Sequence, residues 1–429
     1  MKSIASRARG AALRGGIWAL ALVVWAGLVA TPSPAQDSEI NPGREQELFS
    51  RVDEMLAVVS KITGLEARKP VTRELITREG IRDLVQGRLD EGTTGEEIRL
   101  EELYLKKFGF VDPDFDLAGR MVDVLAEQAT ALYDFKTKKL YLATWTPPDM
   151  QEFALVHELV HALQDQHFNL GKYIDGAKGA DGDLARTAVV EGQASWVMTE
   201  YVMRQSGRSL MQSRFLAVAA AAASRVEARE YPVFAATPLF LQETLLFPYT
   251  WGLLFQQSVL EERGEAGFGE VFRRPPASSQ HILSPEAYFE GRKPAKPELP
   301  KTELGRPYKK VTEGEVGQLE HAILIRKFIS EEDAKELAPK WRGGRYAIFE
   351  PRSKERAVLV YAAEWESPGD AARYFDFYKQ ILGKKWTGVR FETEAVREVT
   401  GRAEEGGFIL SQHGATVTSV EGLPDAKLK

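Results

Sequence analysis

The chain has no cysteine in its 429 residues, which excludes a disulfide scaffold, thiolate zinc sites and attachment of a lipid through a terminal cysteine. Histidine is scarce, at six residues, so any that cluster are informative. Bulk charge of one sign is absent: 56 basic residues face 62 acidic ones, for a formal net charge of −6. That mildly acidic balance argues against nucleic-acid binding by bulk electrostatics. Long apolar runs are missing except for residues 17–30, which are short for a membrane span. This run follows Lys2, Arg7, Arg9 and Arg14 and precedes the small residues Ser33 and Ala35, so residues 1–35 read as a signal peptide cleaved after Ala35. An uncleaved N-terminal anchor is the alternative. Removing four basic and no acidic residues takes the net charge from −6 to −10. The expected location is therefore outside the cytoplasm, periplasmic or extracellular, with no membrane span after cleavage. Export without disulfides fits a bacterial envelope.

What is present is an ordinary globular composition, 44% hydrophobic and 28% charged. Residues 36–110 read as a mostly helical segment, with Leu48, Val52, Leu56 and Val59 at spacings of three and four. It is either a core subdomain or a removable pro-segment. Ala131, Tyr133 and Phe135, then Leu140 and Leu142 beyond a Lys-rich turn, predict an edge hairpin. Pro147 and Pro148 close it, and Asp149 with Glu152 forms a capping-box-like start to a helix running to about Phe168. After the Gly- and Asp-rich residues 171–182, Asp183 is placed to cap a second helix carrying Leu184, Val189, Val190, Ala194 and Val197. Residues 213–229, with their alanine run, predict a third, and residues 238–259 predict one amphipathic helix or two broken at Pro248.

Residues 293–310 are rich in Pro and Lys and read as a linker. Beyond them, residues 311–429 predict a small α+β domain, with strands around Tyr346, 358–361, Phe408 and Val417 and a helix over 370–381. Trp341, Gly343 and Gly344 read as a helix end turning into a strand. The expected fold class is α+β, with a predominantly helical domain at 111–292 carrying a small edge sheet.

The chemistry sits in His157-Glu158-Leu159-Val160-His161. On a helix, positions 157 and 161 project both imidazoles from one face, able to hold one metal ion. Neutral imidazole is a good zinc ligand, and Glu158 beside that face is placed to take a proton from a water activated by the metal. This chain's composition produces such a run by chance roughly 0.01 times. Its surroundings, Phe153, Leu155, Val156, Leu159, Val160 and Leu163, are apolar, and three ionisable groups buried there need a partner.

Two histidines and a water leave one protein ligand of a tetrahedral site to be found. Glu191 is the first candidate, a lone acid in the apolar stretch Val189-Val190-Glu191-Gly192-Gln193-Ala194-Ser195. The small Gly192 and Ala194 are expected to let this helix approach the first closely. His167 is the second candidate, but on an unbroken helix it is rotated away from His157 and His161. Asp165 is placed either to orient a ligand or to sit at the surface.

The run from Ala154 to Gln164, followed by Glu191-Gly192-Gln193-Ala194, resembles the gluzincin type of zinc metallopeptidase. It also resembles a group of largely uncharacterised bacterial exported zincin-like proteins with a His-Ala-Leu-Gln-Asp-Gln run, here starting at His161. That second likeness extends over Tyr133-Asp134, Phe247-Pro248-Tyr249 and Pro275-Pro276-Ala277-Ser278-Ser279. The resemblance implies a zincin-like domain holding Zn2+ through His157, His161 and Glu191. It also implies that Glu158 is the general base and acid, and that the substrate is a peptide or protein. One departure stands out: where gluzincins carry a carboxylate four residues after the glutamate ligand, this chain has Ser195. Its hydroxyl can accept an imidazole hydrogen bond but raises ligand basicity less. A zincin-like protein that binds metal or acts as a scaffold without hydrolysis is the competing class. Against it stands Glu158, for which a closed structural site has no use.

An oxyanion-stabilising group is also needed, and Tyr249, Tyr288 and His281 are candidates by position. The strand near Tyr133 is a candidate for pairing with an extended peptide. His321 and His413 read as structural or surface residues.

Overall fold

In a computed structural model of the chain, the described residues are 47–424 except 93, 129, 147, 303 and 306. The signal-peptide reading of residues 1–35 lies outside them. The fold is mixed α+β, a helical part followed by a C-terminal sheet with its own helices. Among the described residues no helix is long and apolar enough to cross a membrane.

The helical part is built around three long helices, Pro148–Phe168, Gly179–Gln205 and Leu239–Arg263. Pro148–Phe168, the motif helix, has apolar residues nearly all round and is accordingly buried on most sides. One covering layer comes from the N-terminal segment. Helix Val52–Thr63 turns Val52, Met55, Leu56, Val59 and Ile62 inward, into a core shared with Leu155, Val156, Leu159 and Val160 of the motif helix. It stops at Gly64, whose φ of 67° is left-handed. Arg51 fastens its start to Glu152 at 3.1 Å.

The expected hairpin forms from β2 (Ala131–Asp134) and β3 (Lys139–Ala143), paired antiparallel with Tyr133 opposite Leu140. The structure adds a strand that sequence reading assigned to the helical segment. β1 (Thr72–Ile76) pairs in parallel with the outer side of β3, which makes β3 central and leaves β2 at an edge. β1 is mostly exposed on both faces, so it has no hydrophobic alternation to announce it.

Helix Gly179–Gln205 begins four residues before Asp183, which is therefore an internal residue and not the expected cap. Its first turn is tied down by a distant segment: the Asp181 carboxylate accepts the Ser279 N–H at 3.0 Å. Leu239–Arg263 is one helix, with Pro248 inside it. The Thr244 and Thr250 hydroxyls on either side of Pro248 donate to the carbonyls of Phe240 and Leu246 at 2.7 and 2.9 Å. The alanine-rich helix forms as expected, over Arg214–Glu227, and packs alongside.

Between 293 and 307 the described residues form neither helix nor strand, but the segment is docked, with Ala295 N–H donating to Arg342 C=O at 2.7 Å. Its last residues belong to the sheet, because β4 (Tyr308–Glu315) starts inside the expected linker. β5 (Trp341–Pro351), β6 (Val358–Trp365), β7 (Arg390–Ala395), β8 (Glu398–Ala403), β9 (Gly406–His413) and β10 (Thr416–Leu423) complete a seven-stranded antiparallel sheet, ordered β4-β5-β6-β10-β9-β8-β7. Helices Gln318–Phe328 and Pro368–Lys385 pack against it. Gly343 and Gly344 lie within β5 and do not form a turn before it. A Cβ on Gly343 would meet the Ala295 carbonyl oxygen at 2.2 Å, so the glycine is there for the close approach of the docked segment.

Candidate metal centre

The motif helix turns His157, Glu158 and His161 inward together, at 1%, 2% and 3% exposure. Their ligand atoms lie within 4.8 Å of one another. Glu191, on the next long helix, reaches the same point. Its Oε2 is 3.0 Å from His157 Nε2 and 3.4 Å from His161 Nε2. The two rings stand nearly perpendicular, 4.8 Å apart. Sequence separation between motif and acid is bridged because the two helices pack side by side, as Gln164 Nε2 donating to Val190 C=O at 3.0 Å records.

Gly192 has a different role from the one expected of it. A Cβ there would sit 2.1 Å from the carbonyl carbon of Gly252, so its close approach is to helix Leu239–Arg263 and not to the motif helix. The reason is rotational: one residue after Glu191 is about 100° further round a helix. Glu191 therefore faces the imidazoles while Gly192 faces the third helix. That crossing also brings Tyr249 near the site, its ring 6.2 Å from that of His157.

Around these groups is a buried amide network. His161 Nδ1 lies 2.9 Å from Gln164 Oε1, and Gln164 Nε2 also donates to Gln193 Oε1 at 3.2 Å. Gln193 Nε2 in turn donates to the Phe268 C=O at 3.1 Å and Gln256 Oε1 at 3.3 Å. On the other side, Glu158 Oε2 accepts the backbone N–H of Tyr133, in edge strand β2, at 2.6 Å. Neither Gln164 nor this amide was found from sequence. A glutamine three residues after a motif histidine, inside an apolar helix, was the available signal.

The electrostatics follow from burial and crowding. Burial raises the Glu158 carboxyl to about 8; the Glu191 charge adds to the rise, while His161 and the Tyr133 N–H oppose it. Burial also works on Glu191, but charge attraction from His161 and the hydrogen bond with His157 outweigh it and hold that carboxyl down, to about 2. His161 is raised to about 9, since attraction to Glu191 overcomes the cost of burial. Burial dominates at His157, which is lowered. The pocket thus favours one positive charge between the imidazoles and Glu191. Among the described residues, His157 Nδ1, His161 Nε2 and Glu191 Oε1 are buried without a hydrogen bond. Of these, His161 Nε2 is one of the three atoms that converge, and two imidazoles with a carboxylate buried at one point are suited to holding a metal ion.

The other candidates separate clearly. His167 lies at the helix end with Nε2 2.7 Å from the Glu66 C=O, turned away from the cluster. Asp165 neither orients a ligand nor sits at the surface. Its buried carboxylate accepts from the Tyr133 hydroxyl at 2.9 Å, Lys138 Nζ at 2.6 Å and Leu170 N–H at 3.0 Å, tying the hairpin to the motif helix. The side chain that meets the outer nitrogen of a motif imidazole is that of Gln164, at His161, and not that of Ser195. Tyr288 donates its hydroxyl to the Arg274 C=O at 2.8 Å, and His281 lies between the Ala277 N–H and the Arg292 C=O. Both are engaged by backbone, leaving Tyr249 beside His157. His321 is buried in the C-terminal core against Trp341, Trp365 and Tyr374, and His413 is exposed.

A family model described as a domain of unknown function (DUF8575) matches residues 261–429. That span covers the end of helix Leu239–Arg263 and the C-terminal sheet, and it leaves out the four clustered residues. No curated protein and no solved structure matches the chain.

Proposed function

We propose that this chain is an exported, zincin-like zinc metallopeptidase that hydrolyses peptide bonds. His157, His161 and Glu191 are the ligands and Glu158 is the general base. One observation carries the reading: His157 Nε2, His161 Nε2 and Glu191 Oε2 converge with edges of 3.0 and 3.4 Å. With zinc–nitrogen bonds of about 2.0–2.1 Å, a tetrahedral site has edges of about 3.3–3.4 Å, so the donors stand near the required spacing. Bound zinc supplies a Lewis acid that polarises the scissile carbonyl and acidifies water.

The chain's own groups account for the proton traffic. Glu158 takes a proton from the attacking water as the carbon–oxygen bond forms, and returns it to the amide nitrogen as the carbon–nitrogen bond breaks. The Tyr133 N–H holds one Glu158 oxygen at 2.6 Å, fixing the carboxylate between the imidazoles and β2. β2 is last in the sheet order, and its four residues are buried, with the Tyr133 N–H committed to this carboxylate. A buried carboxylate next to the ligand set is superfluous in a closed structural zinc site, which favours an enzyme over a scaffold.

The test is metal analysis of purified protein together with digestion of a peptide library. The expected result is one zinc per chain and cleavage by wild type, with Glu158→Gln keeping the zinc and losing cleavage. Protein without stoichiometric zinc, or a Glu158→Gln variant that cleaves like wild type, would overturn the reading.

A further inference from the structure

We infer that Gln164 is a positioning residue for His161, presenting Nε2 as its metal-binding nitrogen, and that Gln193 holds Gln164 in that role. This inference rests on the proposed metal site and concerns residues the sequence motif does not include.

Donors and acceptors decide the orientation of both glutamines. An amide side chain has an oxygen that only accepts and a nitrogen that only donates, so its orientation is set by its neighbours. Gln193 Nε2 lies 3.1 Å from the Phe268 carbonyl oxygen, a group that can only accept. That contact fixes Gln193 with Oε1 toward Gln164. Gln164 Nε2 then faces two acceptors, Gln193 Oε1 at 3.2 Å and the Val190 carbonyl oxygen at 3.0 Å. Turning either amide over would set oxygen against oxygen in a place without solvent, since both glutamines are 0% exposed. Gln164 Oε1 is therefore committed to His161 Nδ1, 2.9 Å away, and an oxygen there requires a hydrogen on Nδ1.

A neutral imidazole with its hydrogen on Nδ1 has its lone pair on Nε2. In this structure that is the atom 3.4 Å from Glu191 Oε2 and without a hydrogen bond of its own among the described residues. Two backbone carbonyls, of Val190 and Phe268, thus dictate through two side-chain amides which nitrogen of His161 faces the metal. His157 has no such support, because its Nδ1 is buried and unbonded. The network accordingly biases one ligand of the pair. Outer partners of this kind are commonly worth about ten- to a hundredfold in metal affinity.

The experiment measures zinc binding by the full chain against a chromophoric chelator, with thermal unfolding of the metal-free form recorded in parallel. Gln164→Met keeps the volume and removes the acceptor. It is expected to bind zinc about ten- to a hundredfold more weakly, by more than any change in metal-free stability explains. Gln164→Glu keeps an oxygen toward His161 and, protonated in this buried place, a donor toward Val190. It is expected to stay within about threefold of wild type, rescue on the scale of that effect. If Gln164→Met binds like wild type, the positioning role is overturned while the metal site stands. If Gln164→Met does not fold, Gln164→Glu decides: a loss as large as tenfold overturns the inference, and retention supports it. Wild-type protein that takes up no zinc removes the metal site itself and this inference with it.

Discussion

Gly192 and Gly252 meet backbone against backbone. A Cβ on Gly192 would lie 2.1 Å from the Gly252 carbonyl carbon, and one on Gly252 would lie 2.2 Å from the Ala188 carbonyl oxygen. Helices Gly179–Gln205 and Leu239–Arg263 therefore cross too closely there for any side chain to fit between their backbones. The crossing is flanked by Glu191 on one helix and Tyr249 on the other.

Gly192→Ala is expected to force that crossing apart, since the obstacle is backbone and no flexible side chain can yield. The cost is about 3 kcal/mol or more of stability, at the upper end for overpacking. Glu191 moves with its helix, so zinc uptake should weaken together with the melting temperature. Calorimetry and metal analysis on the same preparation check this; unchanged stability would show that the helices are not in contact there.

Tyr249 is the one oxyanion candidate whose ring stands beside a motif imidazole. Tyr249→Phe is expected to keep zinc uptake and to lower kcat by about a hundredfold, the usual scale for one oxyanion donor. The measurement is steady-state cleavage of a peptide found in the library digest. A fall in zinc content in place of kcat would assign the hydroxyl to structure.

His321 gives a pH dependence that does not involve the clustered histidines. Its Nδ1 is 2.7 Å from the Gly317 C=O and its Nε2 2.5 Å from the Tyr361 hydroxyl, and burial lowers its pKa from 6.5 to about 4. A depressed pKa means the folded state resists protonation. The stabilisation is full above about pH 6.5 and is lost as pH falls toward 4, by about 3 kcal/mol at the low end of that window. Urea unfolding followed by tryptophan fluorescence should show this loss, and His321→Gln should flatten it. An equally steep loss in the variant would place the sensitive group elsewhere.

Several parts of this structure were legible because local chemistry decided them. The motif helix needed only the spacing of 157 and 161 and its apolar flanks. Glu191 stood out as a lone acid in a hydrophobic stretch, and it lies against both imidazoles. The hairpin at β2 and β3 followed from alternation and a Lys-rich turn. Where the reading erred, the deciding partner was far away in the chain. Asp183 looked like a cap because nothing nearby shows that Asp181 is anchored by Ser279. Asp165 read as a ligand-orienting or surface residue because its partners, Tyr133 and Lys138, lie on the hairpin.

By itself the sequence determined which residue types share a helical face, and so the pair of histidines with its carboxylate, because helix periodicity is a local rule. The tertiary structure alone decided which face of each helix meets which neighbour. It sent Gly192 to Gly252 and Glu191 to the imidazoles, added β1 to the hairpin, and laid Gln164 between His161 and the Val190 carbonyl. The physical reason is that packing and hydrogen-bond satisfaction in a buried space are settled jointly by segments distant in sequence.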